Sequence, residues 1–140
     1  MDWKLELVVV PVSDVDKSKA FYSEQLGWAV DVDHQPNEHF RVVQLSPPGS
    51  ACSITIGVGL TDAVPGSYKG MHLVVTDIEA ARVELVQAGV DASEPYHFGE
   101  TGKADGVHPD RIDFGTFMDF PDPDGNAWVV QEVGRTSSAS

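Results

Sequence analysis

The feature that most constrains the fold of this chain is an internal repeat with an offset of 63 residues. Residues 12–27, VSDVDKSKAFYSEQLG, align with residues 75–89, VTDIEAARVELVQAG. The alignment pairs Asp14 with Asp77, and one residue of slippage brings Gly27 onto Gly89. A repeat of this kind indicates two copies of one supersecondary unit.

Each copy predicts a strand that runs into a capped helix. The β-branched runs LVVVPV and MHLVV precede the two helices. Capping-box spacing follows in both, with Ser13-x-x-Asp16 in the first copy and Thr76-x-x-Glu79 in the second. Glycine stands where a left-handed helix end is expected. Helical spacing predicts core-facing stripes made of Val15, Ser18, Phe21, Tyr22 and Leu26, and of Ile78, Ala81, Leu85 and Ala88.

Three strand candidates follow each helix, and polar turns such as DPDGN separate them. They are AVDVD, FRVVQLS and ACSITIGV in the first half, and VDASEPYHF, FGTFMDF and AWVVQEV in the second. The predicted order is βαβββ twice, an α+β fold in a single domain over residues 1–140, with units at about 4–62 and about 68–134. Residues 99–113 are predicted to be a functional or mobile loop, and residues 135–140 a disordered tail.

Composition and charge narrow the classes of partner. Apolar residues make up 41% of the chain, enough for it to fold alone. The net charge is 9 − 22 = −13, which repels nucleic acid and anionic membranes and is compatible with a cationic guest. The start has no signal-peptide or membrane-spanning pattern. The lone Cys52 forms no internal disulfide, so we expect a cytoplasmic protein.

A doubled βαβββ pattern with VSDVDKSKAFYSEQLGW near the start and DFPDPDGNAWVVQEV near the end resembles the vicinal oxygen chelate superfamily. This group includes glyoxalase I, extradiol dioxygenases, fosfomycin resistance enzymes and bleomycin resistance proteins. The resemblance covers nearly the whole chain. It implies a curled mixed sheet around a cavity, helices on the convex side, and commonly a homodimer. One such scaffold hosts many chemistries, so function depends on the site.

Enzymes of the glyoxalase I type bind one divalent metal with His, Glu or Gln at four strand positions. The resemblance places these positions at Leu7, Ser53, Gly70 and Val129 in this chain. Neither leucine, glycine nor valine has a donor atom, and a serine hydroxyl is a poor ligand for the usual metals. No metal and no other cofactor is therefore expected.

The same count predicts which side chains line the cavity, because residues two apart on a strand share a face. Glu132 should point away from it, toward the helices or the rim. Gln44 is our choice from the strand FRVVQLS, where a polar residue stands between Val43 and Leu45. The remaining inward-facing residues are Leu7, Val9, Ser53, Thr55, Gly70, His72, Val129 and Gln131.

Two predicted sites that contain histidine can each be interpreted as functional or as structural. His72 is a candidate ligand contact and a weak candidate general base, although a histidine on an inner strand face is more often a hydrogen-bonded wall residue. Tyr96 and His97, which flank the long loop, are candidates to cap a ligand with an aromatic ring and an imidazole. A partly exposed pair of this type is also an ordinary surface feature.

These observations favour a metal-free protein that binds a small organic molecule, as bleomycin resistance proteins do. The expected guest is a toxic or cationic compound, which the protein would sequester. The alternative is an enzyme of the same superfamily, a lyase, isomerase or dioxygenase. Its metal would sit on displaced ligands, with His72 and Gln131 or Glu132 as first suspects, or His72 would act as a base without metal.

Overall fold

The computed structural model describes residues 1–135, so the last five residues of the predicted tail lie outside the described part. The first helix, α1, continues directly into a π-helical turn over Phe21–Gln25. The elements in chain order are β1 (Leu7–Val9), α1 (Val15–Ala20), β2 (Ala29–Asn37), β3 (Phe40–Ser46), β4 (Ser53–Val58), β5 (Met71–Val75), α2 (Ile78–Gln87), β6 (Tyr96–Gly99), β7 (Gly102–Asp105), β8 (Thr116–Pro121) and β9 (Ala127–Glu132).

The strands confirm the α+β class and the doubled βαβββ order, with β7 as an addition in the second copy. They form two mixed sheets, of order β1-β4-β3-β2 and β5-β9-β8-β6-β7, where the resemblance implied one curled sheet. In each sheet the first strand of the unit pairs in parallel with its last strand. The other pairings are antiparallel.

The chain divides into two compact units. The first comprises Met1–Tyr68 together with Asp122–Asn126, and the second comprises Lys69–Pro121 and the chain from Ala127 on. The DPDGN turn therefore belongs to the first unit. Buried Asp122 accepts a hydrogen bond of 2.7 Å from the Tyr22 hydroxyl, and the Asn126 amide donates to the Pro11 carbonyl at 2.8 Å. These contacts between segments about a hundred residues apart make the turn part of the first core.

Each helix covers one face of the sheet in its own unit. Below α1 the buried side chains are Val43, Leu45, Ile54 and Ile56, and below α2 they are Met118, Phe120, Trp128 and Val130. Both predicted helix stripes contribute, since Tyr22 and Ile78 are fully buried. Gly27 and Gly89 end the helical segments at φ +76° and +83°, which confirms the predicted left-handed stops. We call the opposite side of each sheet its helix-free face.

The helix caps lie one residue later than predicted. Asp14 caps α1 by accepting a hydrogen bond from the Lys17 amide, and Asp77 caps α2 by accepting one from the Ala80 amide. The predicted cap Ser13 instead donates from its hydroxyl to Asp124, 2.5 Å away in the first unit. Each aspartate satisfies a free amide and adds negative charge at the positive end of the helix.

The predicted loop over 99–113 is partly wrong, because β7 pairs with β6 as a hairpin inside it. The connection that remains, 106–115, carries two non-glycine residues with positive φ, Arg111 at +49° and Phe114 at +62°. Such conformations persist where surrounding contacts hold them. Within residues 1–135, neither helix combines the length and the hydropathy that crossing a bilayer requires.

Candidate functional site

The helix-free face of the first sheet brings together the residues predicted for it. Leu7 lies beside Ser53 and Val9 beside Thr55 in the parallel pair β1–β4. Gln44 lies opposite Thr55 on β3, so it shares this face, as predicted. Ser53 and Thr55 are buried, whereas the three larger side chains around them are half-buried.

A chain of hydroxyl groups runs across this face. Ser46 Oγ donates to Asp31 Oδ2 at 2.5 Å and lies 2.6 Å from Ser53 Oγ. Thr55 Oγ1 is buried, and no group in the described part of the chain is within hydrogen-bonding distance of it. An unpaired buried hydroxyl is costly, so it marks a place where a further group can bind.

Strand register corrects one of the four positions assigned to the family metal. His72 pairs with Val129, and the repeat offset makes Val9 the counterpart of His72. Val9 pairs with Thr55, so the first-unit counterpart of Val129 is Thr55 and not Ser53. The correction leaves the chemistry unchanged, because threonine offers only a neutral hydroxyl.

The helix-free face of the second sheet gathers most of the candidates from that half. His72 lies beside Val129, and Gln131 lies opposite Phe117, which in turn lies opposite Tyr96. Val129 and Gln131 are half-buried, while His72 is exposed. A ligand on this face would therefore touch apolar, amide and imidazole groups together.

Three aromatic rings form the largest feature of this second face. We call Tyr96, Phe98 and Phe117 the aromatic cluster. Tyr96 stacks on Phe117 with a centroid distance of 5.5 Å, and Phe98 meets both rings edge to face at 6.0 and 5.4 Å. Phe98 is 57% exposed, so the cluster presents apolar aromatic surface to solvent. Lys103 Nζ lies 4.1 Å from the centre of the Tyr96 ring, a cation–π contact.

A carboxylate adjoins the aromatic cluster. The Tyr96 hydroxyl donates to Asp119 Oδ1 at 2.7 Å. Burial, the hydrogen bond and the negative charge of Asp119 together raise the pKa of the Tyr96 hydroxyl. Tyr96 is therefore a neutral donor that is already used, and Phe117 and Lys103 contact its ring, so the exposed Phe98 ring is the part of the cluster available to a ligand.

A backbone contact fixes the tautomer of His72. Its Nδ1 lies within hydrogen-bonding distance of the Gly70 carbonyl oxygen. A carbonyl only accepts, so Nδ1 carries the proton and the neutral ring has its lone pair on Nε2. The ring can therefore accept a hydrogen bond from a ligand.

Two candidates lie away from these faces. His97 follows Tyr96 on β6 and points to the opposite side of the sheet, where its Nδ1 donates to the Gly106 carbonyl and its ring lies 5.7 Å from that of His108. Glu132 is fully buried and points away from Gln131, as predicted. It accepts hydrogen bonds from the Ile78 amide and the Arg111 guanidinium. His97 thus does not share a face with Tyr96, and Glu132 does not share one with His72.

The residues at the family's metal positions do not fit a metal. Leu7 and Val129 have no donor atom, and Thr55 and Ser53 offer neutral hydroxyls. Gly70 adopts φ +83°, a conformation that a ligating side chain would strain. Within residues 1–135, no three His, Cys, Asp or Glu side chains lie together as a group that would hold an ion.

A cavity of about 290 Å³ lies within the first unit, at the end of β1. Its walls come from residues 9–13 and 57–61, together with Val15, Ala63 and Pro65, and most of them are apolar. Val9 and Gly57, which both line it, flank Thr55 on the helix-free face. The cavity therefore adjoins the buried hydroxyls of the first sheet.

Sequence reasoning left several residues of these faces unassigned. In FGTFMDF, Phe117 and Asp119 alternate with the buried Met118 and Phe120, so strand periodicity alone would have put them on the helix-free face. Phe98 likewise follows Tyr96 by two residues on β6 and shares its face, whereas Lys103 had no such signal, because its placement depends on the pairing of β6 with β7. Asp31 reaches Ser46 beside a bulge in β2, which periodicity does not reveal.

Known proteins resemble this chain over nearly its full length. Residues 4–130 match the family model of the Glyoxalase/Bleomycin resistance protein/Dioxygenase superfamily. The structure of TnmS3, an antibiotic binding protein from Streptomyces sp. CB03234, matches with a TM-score of 0.73 and 30% identity, covering 94% of this chain and 97% of that one.

Two further relatives agree in length. A glyoxalase/bleomycin resistance protein structure from the same Streptomyces strain has a TM-score of 0.69 and 31% identity, covering 92% of this chain and 100% of that one. The Bacillus subtilis (strain 168) protein YetH is 26% identical over 129 residues, covering 89% of this chain and 94% of YetH.

Proposed function

The chain belongs to the Glyoxalase/Bleomycin resistance protein/Dioxygenase superfamily, and on that premise we propose that it binds a small organic molecule without a metal. Each unit by itself offers candidate contacts on its helix-free face. In the first unit these are Leu7, Val9, Gln44, Ser53 and Thr55. In the second unit they are His72, Tyr96, Val129 and Gln131.

The aromatic cluster is the observation that carries the proposal. Phe98 exposes 57% of its surface although its neighbours Tyr96 and Phe117 bury theirs in part. Exposed aromatic surface beside half-buried apolar and amide groups is typical of sites that hold planar organic ligands. The ligand class is therefore a planar, largely apolar molecule.

Charge supports a cationic guest. The net charge of −13 raises the concentration of cations near the surface, and Asp119 adds a carboxylate beside the aromatic rings. Relatives of similar structure include a protein described as antibiotic binding. We infer that this chain sequesters a toxic compound of that kind in the cytoplasm, as a homodimer.

The experiment is a titration of the full chain with acridine orange, a planar cationic dye, followed by its absorbance. We expect a saturable shift with a Kd on the order of 1 µM. Phe98→Ala should weaken binding about tenfold, since it removes stacking and apolar contact. Phe114→Ala is the matched control, because Phe114 is 56% exposed but lies outside the aromatic cluster. Equal effects of the two variants, or no saturable shift, would overturn the proposal.

Metal content tests the other half of the proposal. Protein purified without chelator is expected to carry far less than one equivalent of Ni, Zn, Mn or Fe. A near-stoichiometric metal that is lost in His72→Ala would contradict the metal-free assignment and support an enzyme with displaced ligands.

A second candidate function is catalysis without metal, with His72 as the general base. The contact with Gly70 favours it, because it leaves Nε2 of the neutral ring as an acceptor on the helix-free face. Turnover of a bound compound that His72→Gln abolishes, while the compound still binds, is the result that would establish this candidate.

A further inference from the structure

The hydrogen bonds of the hydroxyl chain on the first sheet all run in one direction, which the carboxylate at its end determines. Ser46 Oγ gives its only proton to the Asp31 carboxylate, which accepts and does not donate. Ser46 therefore has no proton left for Ser53, 2.6 Å away, so Ser53 is the donor in that contact. Once its proton is used, Ser53 Oγ has only lone pairs to offer. The serine thus acts as a hydrogen-bond acceptor toward its helix-free face.

Thr55 adds a second polar atom on the same face. The residue is only 4% exposed, and its Oγ1 has no partner among residues 1–135. Ser53 and Thr55 stand two residues apart on β4, so their hydroxyls lie about 7 Å from each other. Two buried oxygens at this spacing, one an acceptor only and one unpaired, form a polar patch inside an apolar rim.

We propose that Ser53 and Thr55 form a subsite that accepts hydrogen bonds from an amino or hydroxyl group of the ligand. This inference rests on the proposed function and names the ligand chemistry that the first unit selects. Because Asp31 accepts the proton of Ser46, Ser53 Oγ can only accept, so the patch favours ligand groups that donate a hydrogen bond. A ligand carbonyl or carboxylate would instead place its lone pairs against those of Ser53 Oγ. The ligand group that the first unit selects is therefore an amino or hydroxyl donor.

The residue of the rim that bears on access to the hydroxyls is Gln44. Gln44, opposite Thr55, is half-buried and has a flexible side chain with both donor and acceptor atoms. Gln44 therefore stands beside Thr55 with a side chain that can change rotamer, and Val9 and Gly57, the neighbours of Thr55 on this face, also line the cavity of the first unit.

A pair of dyes separates this subsite from stacking alone. Proflavine and acridine orange share one tricyclic cation, but proflavine carries two free amino groups and acridine orange has them fully methylated. We expect Ser53→Ala to weaken proflavine binding about threefold to tenfold, the value of one hydrogen bond, and to leave acridine orange within about twofold. Ser67→Ala, an exposed serine in the same unit, should change neither.

The outcomes distinguish this inference from the proposed function. If both dyes bind and Ser53→Ala weakens neither, or both equally, the subsite is wrong while the binding function stands. If neither dye binds, both fail. Asp31→Ala provides a second readout, because it removes the acceptor and leaves Ser46 free to donate to Ser53. Asp31→Ala should then reduce the preference for proflavine, and an unchanged preference would contradict the direction of these hydrogen bonds.

Thr55→Val guards against a variant that merely fails to fold. It removes the unpaired hydroxyl and keeps the shape of the side chain, so the free protein should be as stable as the parent or more stable. Proflavine binding should nevertheless weaken about threefold. A variant that is less stable, or that binds proflavine as the parent does, would show that an internal water and not a ligand satisfies Thr55.

Discussion

Arg111→Met should be the most destabilising single change on the buried polar side of the second unit. The guanidinium donates from Nε and Nη2 to the two oxygens of Glu132, at 2.8 and 2.7 Å. Glu132 is fully buried, and without Arg111 it would keep only the Ile78 amide, at 3.0 Å. An uncompensated buried carboxylate costs about 3–5 kcal/mol, whereas loss of the more exposed contact with Glu79 adds under about 1 kcal/mol.

The loss should depend on pH. Burial raises the pKa of Glu132, but the hydrogen bonds from Arg111 and Ile78 and the positive charges nearby outweigh it and hold the pKa below its ordinary value. In the parent, this stabilisation is present above pH about 4.5 and is lost as the pH falls further. In Arg111→Met, the largest causes that lower the pKa of Glu132 are lost and only the Ile78 amide and the charge of Arg135 still oppose burial, so the pKa rises and protonation relieves the cost of burying the carboxylate. The difference between the two proteins should therefore shrink from pH 7 to pH 4.

The assay is urea unfolding at pH 7, 5.5 and 4, followed by tryptophan fluorescence in a Trp3→Phe, Trp28→Phe background, where the signal comes from Trp128, which is buried in the second unit. Arg82→Met is the matched control, because Arg82 pairs with the exposed Glu94 and should cost under about 1 kcal/mol at every pH. Arg111→Lys should recover only part of the loss, since lysine cannot bind both oxygens. A cost at pH 7 no larger than that of Arg82→Met, or one that is constant with pH, would refute the reasoning.

Three further predictions follow from the fold. Tyr22→Phe should lower the free energy of unfolding by about 1–3 kcal/mol, because it removes a hydrogen-bond partner from buried Asp122. A loss in urea unfolding of less than about 0.5 kcal/mol, which is roughly the scatter of surface substitutions, would argue against that role. Gly89→Ala should cost about 1 kcal/mol, since the φ of Gly89 is +83°, a conformation that disfavours a side chain; a gain in melting temperature would contradict this. Light scattering should give twice the chain mass of 15.1 kDa, and a monomer at micromolar concentration would end the homodimer proposal.

The sequence predicted the repeat, the helices and the faces well, because these depend on periodicity within one element. Strand parity turned Glu132 away from the predicted face, and the apolar neighbours of Gln44 suggested that this residue shares it; the structure agrees with both. Parity does not report how far one strand slides along another. The assignment of Ser53 in place of Thr55 was therefore wrong, since it required the register of β1 against β4.

The other features that the sequence did not predict depend on hydrogen-bond partners that are distant in sequence. Ser13 has the composition of a cap, yet Asp124, 111 residues away, takes its hydroxyl, and Asp14 caps the helix instead. The strand β7 has no β-branched residues, and it forms because β6 supplies its hydrogen-bonding partner. Neither partner is visible from local sequence. Both errors lie at the ends of elements, where local preferences are weakest.

The backbone at Gly70 bears on how the site differs from that of a metalloenzyme. A single substitution restores a donor at Val129, because a strand position accepts any side chain. Gly70 is different, since its φ of +83° disfavours every side chain that ligates metal. The carbonyl of the same residue holds His72 in one tautomer, so a change of that conformation would also release the imidazole. The conformation that disfavours an ion at this position thus orients the histidine as an acceptor, and it is consistent with a site that holds organic groups by hydrogen bonds and stacking.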